Sequence, residues 1–166
     1  MVSIRPATRH DAALILEFIH GLAEYERAPE QVVATEADIL RDGFPASGPP
    51  KFWVLIAELD GRPAGFALYF FNYSTWLGRW GLFLEDLFVP PAHRGKGLGK
   101  ALLVELARIA VEKECYGMRW NVLDWNQPAI DFYEGLGAEV LKEWQVVRIM
   151  GDPLKRLAND RKAQQV

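Results

Sequence analysis

The chain has 166 residues, half of them hydrophobic, which predicts one sizeable core and a single domain over residues 1–166. Its formal net charge of -3 at pH 7 argues against a mainly electrostatic nucleic-acid binder, which normally carries a basic surplus. Cys115 is the lone cysteine, which excludes an internal disulfide and a multi-cysteine metal site.

The first third of the sequence predicts one strand and two helices. "VSIRPA" is typical of a short strand ending at Pro6, and Thr8 or Asp11 can cap the apolar helix that follows. "TEADILRDGF" predicts a second helix capped at Thr35 and ending near Gly43. Charges interrupt the N-terminal segment, unlike a signal peptide, and no window has the roughly 18 apolar residues of a membrane span. We therefore expect a cytoplasmic protein without membrane contact.

The rest of the sequence predicts a β-meander followed by alternating helices and strands. "FWVLIAEL", "GRPAGFALYFFNY" and "GLFLEDLFV" favour three antiparallel strands. The pattern then changes to a helical period from Lys96 to Lys113. "MRWNVLDW" predicts a strand, "QPAIDFYEGLG" a helix and "EWQVVRIM" a last strand. This order indicates a mixed α/β domain with one large sheet.

The stretch "RGKGLGKA" invites three phosphate-binding interpretations, two of which fail. A P-loop needs a glycine where Arg94 stands and a metal-binding Ser or Thr where Ala101 stands. The dinucleotide fingerprint needs a glycine at Lys100. A glycine turn that leads into a helix nevertheless presents unpaired N–H groups to an anion such as pyrophosphate. A turn that binds no ligand is the alternative.

The positions of Arg94, Gly97 and Gly99 match the Arg/Gln-x-x-Gly-x-Gly/Ala signature of the Gcn5-related N-acetyltransferases. Over residues 3 to 150 the chain resembles the spermidine/spermine and thialysine branch of that superfamily, through "IRPAT", "LAEYE", "TEADILRDGF", "STWLGRWGLFLEDLFV" and "VLDWNQPAIDFYEGLGA". The resemblance implies the acyl-CoA N-acyltransferase fold, an α/β fold with a single central mixed sheet flanked by helices. It also implies acetyl-coenzyme A as cosubstrate and a homodimer. Independently of the resemblance, His10, His20 and His93 are too scattered for a metal site, so we expect no metal.

The resemblance also implies which residues bind the coenzyme. The backbone of one strand carries the pantetheine and thioester, the signature turn holds the pyrophosphate, and an asparagine contacts the pantetheine arm. In this sequence these positions are Leu87, Phe88 and Val89; Arg94, Gly95, Lys96, Gly97, Leu98, Gly99 and Lys100; and Asn126. Asn126 is also a candidate helix N-cap, and both roles are compatible.

The resemblance identifies Glu85 as the base for the substrate amine and Tyr133 as the acid for the leaving thiolate. An alkyl ammonium has a pKa near 10.4, so a base within reach is useful at neutral pH. From residue type alone, Glu85 could equally be a surface carboxylate, and a tyrosine at the position of Tyr133 is more often a core aromatic on a helix face. In a regular strand Asp86 points to the face opposite Glu85, unless a bulge changes the alternation.

For the acceptor amine, the family pattern carries over to acidic and aromatic residues suited to a cation. They are Tyr25, Glu26, Glu85, Arg119, Trp120 and Asn121. Asp124 and Gln127 in "VLDWNQ" stand where a spermidine enzyme is expected to have glutamates, which favours a thialysine- or lysine-like amine over a diamine or polyamine. Protein lysine acetylation and a non-catalytic acyl-coenzyme A binding module are the alternatives.

Overall fold

The computed structural model describes residues 1–160. Its internal contacts divide the chain into two compact units, residues 1–121 and a second unit that begins at Val122. The first unit holds a complete sheet with helices on both faces, and the second holds two short helices. The single domain expected over residues 1–166 stays a prediction.

The sheet of the first unit has five strands in chain order. They are β1 (Val2–Pro6), β2 (Trp53–Leu59), β3 (Arg62–Ser74), β4 (Arg79–Phe88) and β5 (Met118–Arg119). The first four strands pair antiparallel, and β5 pairs parallel to β4. The predicted meander and the single mixed sheet are therefore confirmed.

Three α-helices of the first unit pack on the sheet, two on one face and one on the other. They are α1 (Ala12–Tyr25), α2 (Glu36–Gly43) and α3 (Leu98–Glu112). The predicted cap of α2 is present as a reciprocal pair: the Thr35 N–H donates to the Asp38 carboxylate at 2.9 Å, and the Asp38 N–H donates to the Thr35 hydroxyl.

Alternation along the strands builds two apolar layers. Val54 and Ile56 of β2 belong to a buried cluster with Ile15 and Phe18 of α1. The intervening Leu55 is also buried and points to the opposite face, where α3 packs against β1 and β2. As a result, α1 packs against one face of β4 and α3 packs against the other face.

The second unit corrects the strand predictions near the C-terminus. It contains α4 (Gln127–Glu134), as predicted, and α5 (Gly151–Ala158), which was not predicted. The predicted strand "MRWNVLDW" was wrong beyond its first two residues, and "EWQVVRIM" is not a strand at all. Such apolar patterns form strands only when an edge is available for pairing, and the sequence does not specify that edge. No helix within residues 1–160 has the length and apolarity needed to cross a bilayer.

Candidate active site

The central feature of the site is a bulge in β4. Leu84 lies opposite Tyr69 of β3, whereas Asp86 lies opposite Leu68, so Glu85 is left without a partner in the ladder. One extra residue on one strand is the definition of a β-bulge, which often turns a side chain to the other face of a sheet.

The bulge changes the face to which Asp86 belongs. Residues directly opposite each other in a sheet share a face, and Leu68 belongs to the buried cluster under α1. Asp86 therefore lies on the α1 face, while Leu84 lies on the α3 face with Tyr69. Without the bulge, Asp86 would share the face of Leu84. The regular alternation expected from the sequence is interrupted between the two acidic residues.

Three carboxylates are electrostatically coupled at this place. Asp86 is half-buried, and the loss of water around its carboxyl, together with the charges of Glu85 and Glu26, raises its pKa to about 7. Desolvation also raises the pKa of Glu26, which follows α1 directly. The structure thus brings the predicted residues Glu26 and Glu85 together and adds Asp86. The adjacent acidic pair in an apolar strand was the signal that could have found it.

One edge of β4 is open beside these carboxylates. In the described part of the chain, β5 pairs with β4 only at Leu82 and Phe83. From Leu84 onward, no described strand occupies that edge of β4. An open edge can hydrogen-bond an extended ligand through its backbone groups. This fits the coenzyme role predicted for the backbone of Leu87–Val89, which follows the bulge.

The glycine turn has the geometry of an anion cradle. Gly95 and Gly97 have φ angles of +74° and +82°, and within residues 1–160 no atom beyond the adjacent residues lies within 4 Å of where their Cβ atoms would be. The N–H of Ala101 donates to the Gly97 carbonyl at 2.9 Å. The N–H groups of Leu98–Lys100 precede that first helical hydrogen bond and have no carbonyl partner within α3. They point with the positive end of the helix dipole towards the turn, where phosphates fit.

The side chain of Arg94 connects this turn to the end of α1. Its Nε donates to the Val89 carbonyl at 2.9 Å, and its Cζ lies 4.4 Å from the centroid of the Tyr25 ring. Tyr25 is the last residue of α1 and precedes Glu26. A predicted coenzyme residue and a predicted amine residue are therefore in direct contact.

The other predicted residues of the first unit lie in β5, directly after β5, or in the glycine turn. Arg119 is exposed and lies opposite Phe83, so it occupies the strand next to the bulged part of β4. Trp120 and Asn121 follow the end of β5, with Trp120 half-buried and Asn121 exposed. Lys96 is exposed in the glycine turn and donates to the Ala92 carbonyl at 3.3 Å.

The second unit carries Asn126 and Tyr133 at the two ends of α4. Asn126 is buried and its carbonyl accepts the N–H groups of Ala129 and Ile130, but its side chain makes no capping hydrogen bond to the helix. Tyr133 is half-buried, with its ring centroid 5.4 Å from that of Phe132. Their predicted roles stay predictions. Residues 1–160 contain no group of three or more His, Cys, Asp or Glu side chains that could hold a metal ion.

Comparison with known proteins identifies the class of enzyme. The acetyltransferase (GNAT) family model matches residues 17–138. The chain belongs to this family and is an acetyl-transferring enzyme. Acetyltransferases of this family use acetyl-coenzyme A as cosubstrate, and the glycine turn and the open edge of β4 fit that molecule. The family and the fold expected from the sequence are both confirmed.

The chain is similar to several relatives over nearly its whole length. It is 39% identical to a thialysine N-epsilon-acetyltransferase of Bos taurus, across 95% of this chain and 97% of the relative. It is 31% identical to an L-ornithine N5-acetyltransferase of Arabidopsis thaliana, across 93% and 86%. Among solved structures, an integron cassette protein from the mobile metagenome of V. cholerae matches with a TM-score of 0.78 and 27% identity, covering 95% of this chain and 98% of that one.

Proposed function

We propose that this enzyme acetylates the side-chain amine of a small amino acid of the thialysine, lysine or ornithine type. The observation that carries the proposal is the cluster of Glu26, Glu85 and Asp86 beside the open edge of β4. Coupled carboxylates favour a cationic group, and the edge provides a place for an extended acyl donor. The names of the similar proteins, thialysine and ornithine acetyltransferases, support this class of amine.

The amine must lose a proton before it attacks the thioester. An alkyl ammonium with a pKa near 10.4 is almost fully protonated at neutral pH. Glu85, exposed at the bulge, accepts this proton directly or through a water molecule. Asp86 and Glu26 hold the ammonium before the transfer, because a cation relieves the repulsion between the two carboxyls.

The other half of the reaction needs help for the departing thiolate. Tyr133 donates its phenolic hydrogen to the sulfur as charge develops there. Full proton transfer from a phenol near pKa 10 to a thiolate near pKa 8.5 is uphill by roughly 2 kcal/mol in water, so stabilisation by a hydrogen bond is sufficient for the role. The amine attacks directly, and no covalent intermediate with the enzyme is required.

The coenzyme binds along two elements of this chain. The backbone of Leu87–Val89 holds the pantetheine arm as an added strand, with Asn126 as a further polar contact. The N–H groups after Gly97, with Arg94 and Lys100, hold the pyrophosphate. Each of these groups stays in place during the reaction and keeps the donor still.

The remaining substrate residues provide selectivity for an amino acid. Arg119 pairs with the substrate's carboxylate, which a polyamine lacks. The ring of Tyr25 faces the ammonium, and Trp120 and Asn121 line the path of the aliphatic chain. One cationic side chain among acidic ones therefore favours an amino acid with a single free side-chain amine over spermidine or spermine.

We expect a cytoplasmic homodimer without nucleic-acid or membrane partners. In the second unit, Trp144, Val146 and Val147 expose 66%, 79% and 92% of their surface, an apolar run that a second copy could cover. Light scattering on the purified full chain tests the expected homodimer by its molar mass. A monomer mass at micromolar concentration would contradict it.

A panel of amines tests the proposed function. Thiol release from acetyl-coenzyme A is measured with thialysine, lysine, ornithine, spermidine, spermine and a lysine-containing peptide. Highest kcat/KM for an amino acid supports the proposal, and Arg119→Gln should then reduce this preference over spermidine. Highest kcat/KM for spermidine would overturn the choice of substrate but keep the mechanism. Activity on the peptide alone indicates a protein acetyltransferase, and coenzyme binding without thiol release indicates a binding module.

A further inference from the structure

Arg94 makes two contacts that place one cation between the coenzyme turn and the amine site. Its Nε donates to the Val89 carbonyl, and its guanidinium carbon lies 4.4 Å from the Tyr25 ring centroid. This distance is well inside the roughly 6 Å at which a guanidinium is attracted to an aromatic face. The next residue after Tyr25 is Glu26, a member of the acidic cluster.

The guanidinium of Arg94 occupies the position over the Tyr25 ring that the substrate's ammonium group would need. The substrate amine arrives as an ammonium, because its pKa is near 10.4. One face of an aromatic ring accommodates one cation at this distance, and a second cation beside it is repelled. In the free enzyme, the guanidinium therefore competes with the ammonium for Tyr25.

The coenzyme's phosphates compete for the same guanidinium. Arg94 immediately precedes the two left-handed glycines that form the anion cradle. Hydrogen bonds between arginine and phosphate are charge-assisted, and they are stronger than a cation–π contact at an exposed position. Movement towards phosphate also frees the Val89 carbonyl, directly after β4, where the pantetheine is proposed to bind.

We propose that Arg94 is a positioning residue that occupies the cation position on Tyr25 until the coenzyme's phosphates withdraw it, so that coenzyme binding opens the ring to the substrate ammonium. This inference rests on the proposed function, because it assigns Tyr25 to the amine. It adds a physical link between the two binding sites. By thermodynamic reciprocity, the amine must raise the affinity for the coenzyme by the same factor.

The expected change in amine affinity on coenzyme binding follows from the strength of the cation–π contact between Arg94 and Tyr25. A cation–π contact at an exposed site corresponds to roughly a two- to fivefold change in affinity. Titration calorimetry of thialysine is therefore performed on the full-length enzyme with and without saturating coenzyme A, which has no acetyl group to transfer. We expect thialysine to bind about two- to fivefold more tightly to the enzyme that is loaded with coenzyme A.

Variants separate this coupling from ordinary binding effects. Arg94→Gln should tighten thialysine binding to the free enzyme and reduce the coupling factor to about one. Lys96→Gln removes a cation from the same turn that contacts no aromatic ring within residues 1–160, so it should weaken coenzyme binding but keep the coupling. Tyr25→Phe keeps an aromatic face and should keep the coupling, whereas Tyr25→Leu should abolish it.

An NMR measurement tests the arginine movement without any amine. Protons of Arg94 above the Tyr25 ring should be shifted upfield in the free enzyme, and Tyr25→Leu should remove that shift. Coenzyme A alone should also remove it. A shift that persists at saturating coenzyme A, or a coupling that is equal in wild type and Arg94→Gln, overturns the inference. Failure of every amine in the panel would instead count against the proposed function, since the NMR result does not depend on an amine.

Discussion

Asp86 and Glu26 are far apart in the sequence, yet the charge of Glu26 helps to raise the pKa of Asp86 to about 7. The two residues meet because the bulge at Glu85 turns Asp86 to the face covered by α1, whose end carries Glu26. Close carboxyls rarely ionise together unless a cation lies between them. A cationic amine is therefore expected to lower the pKa of Asp86 when it binds.

The raised pKa of Asp86 predicts a pH-dependent cost to stability. Its pKa in the folded protein is about 7, against about 3.9 for an unperturbed aspartate, so stability falls as pH rises from about 4 through 7. Asp86→Asn mimics the protonated acid and should be more stable than wild type by up to about 4 kcal/mol at pH 8, because each unit of pKa difference corresponds to about 1.4 kcal/mol. Urea unfolding measured at pH 8, 6.5 and 5 should show this difference narrowing towards low pH.

A matched substitution separates the Asp86 effect from a general charge effect. Glu134→Gln removes an exposed carboxylate on α4, and it should change the free energy of unfolding by less than about 0.5 kcal/mol at each pH. If Asp86→Asn and wild type keep a constant difference between pH 5 and 8, the carboxyl does not titrate in this range and the raised pKa of Asp86 is refuted.

The proposed acid and base predict distinct losses of turnover. Glu85→Gln and Tyr133→Phe should each lower kcat by about 10²-fold, the size expected for a lost general base or acid. Glu85→Gln should lose less activity at high pH, because more of the amine is then already deprotonated. Tyr73→Phe, at an exposed tyrosine of β3, is the control and should retain full turnover. Wild-type kcat for Tyr133→Phe at saturating substrates would remove this residue from the mechanism.

The sequence predicted most of the first unit because local signals agree with the fold there. The cap at Thr35, the three apolar runs of the meander and the glycine turn each specify their own conformation. The bulge at Glu85 could not be located, because its position depends on which β3 residue lies opposite. The absence of a strand at "EWQVVRIM" has a similar cause, since strand formation depends on an edge that sequence pattern does not reveal.

The residue role that sequence reasoning missed is that of Asp86. Regular alternation placed it on the face opposite Glu85, and only the register of β4 against β3 assigns it to the α1 face. Glu26 was identified by resemblance, but its effect on Asp86 depends on how the end of α1 packs against β4. Burial and long-range register therefore determine the electrostatics of the site, while residue type determines its chemistry.

Arg5 is expected to be the most important ion-pairing residue for stability in the first unit. Its guanidinium donates to both oxygens of Asp11 at 2.9 and 2.8 Å and to Glu58 at 2.7 Å, and this fixes β1 to the start of α1 and to β2. The same contacts hold the pKa of Asp11 far below its usual range. Because a depressed carboxyl pKa contributes stability above pH 4 that is lost on acidification, the effect should be present at pH 7.

The test compares two arginines that both bind two acidic partners. Arg5→Ala should lower the free energy of unfolding by about 2–3 kcal/mol at pH 7, because half-buried charges lose their partner. Arg41→Ala, which breaks the pairs of a largely exposed guanidinium with Asp38 and Asp42, should cost clearly less than Arg5→Ala. If urea unfolding shows that both variants lose the same free energy of unfolding, the ion pairs of Arg5 contribute no more to stability than those of Arg41.

Gly97 tests whether the glycine turn binds phosphate or only turns the chain. Its φ of +82° disfavours any residue with a Cβ, although no described atom beyond the adjacent residues lies within 4 Å of the Cβ position. Gly97→Ala should therefore cost about 1–2 kcal/mol of stability and weaken coenzyme A binding about tenfold, because relaxation of the strained turn moves the N–H groups before α3. Gly61→Ala is matched in strain, with a φ of +74° and the same open space, but it lies in the turn between β2 and β3. Calorimetry should find a comparable loss of stability in Gly61→Ala with unchanged affinity for coenzyme A. If both variants keep that affinity, the turn is only structural, and the coenzyme's phosphates bind elsewhere.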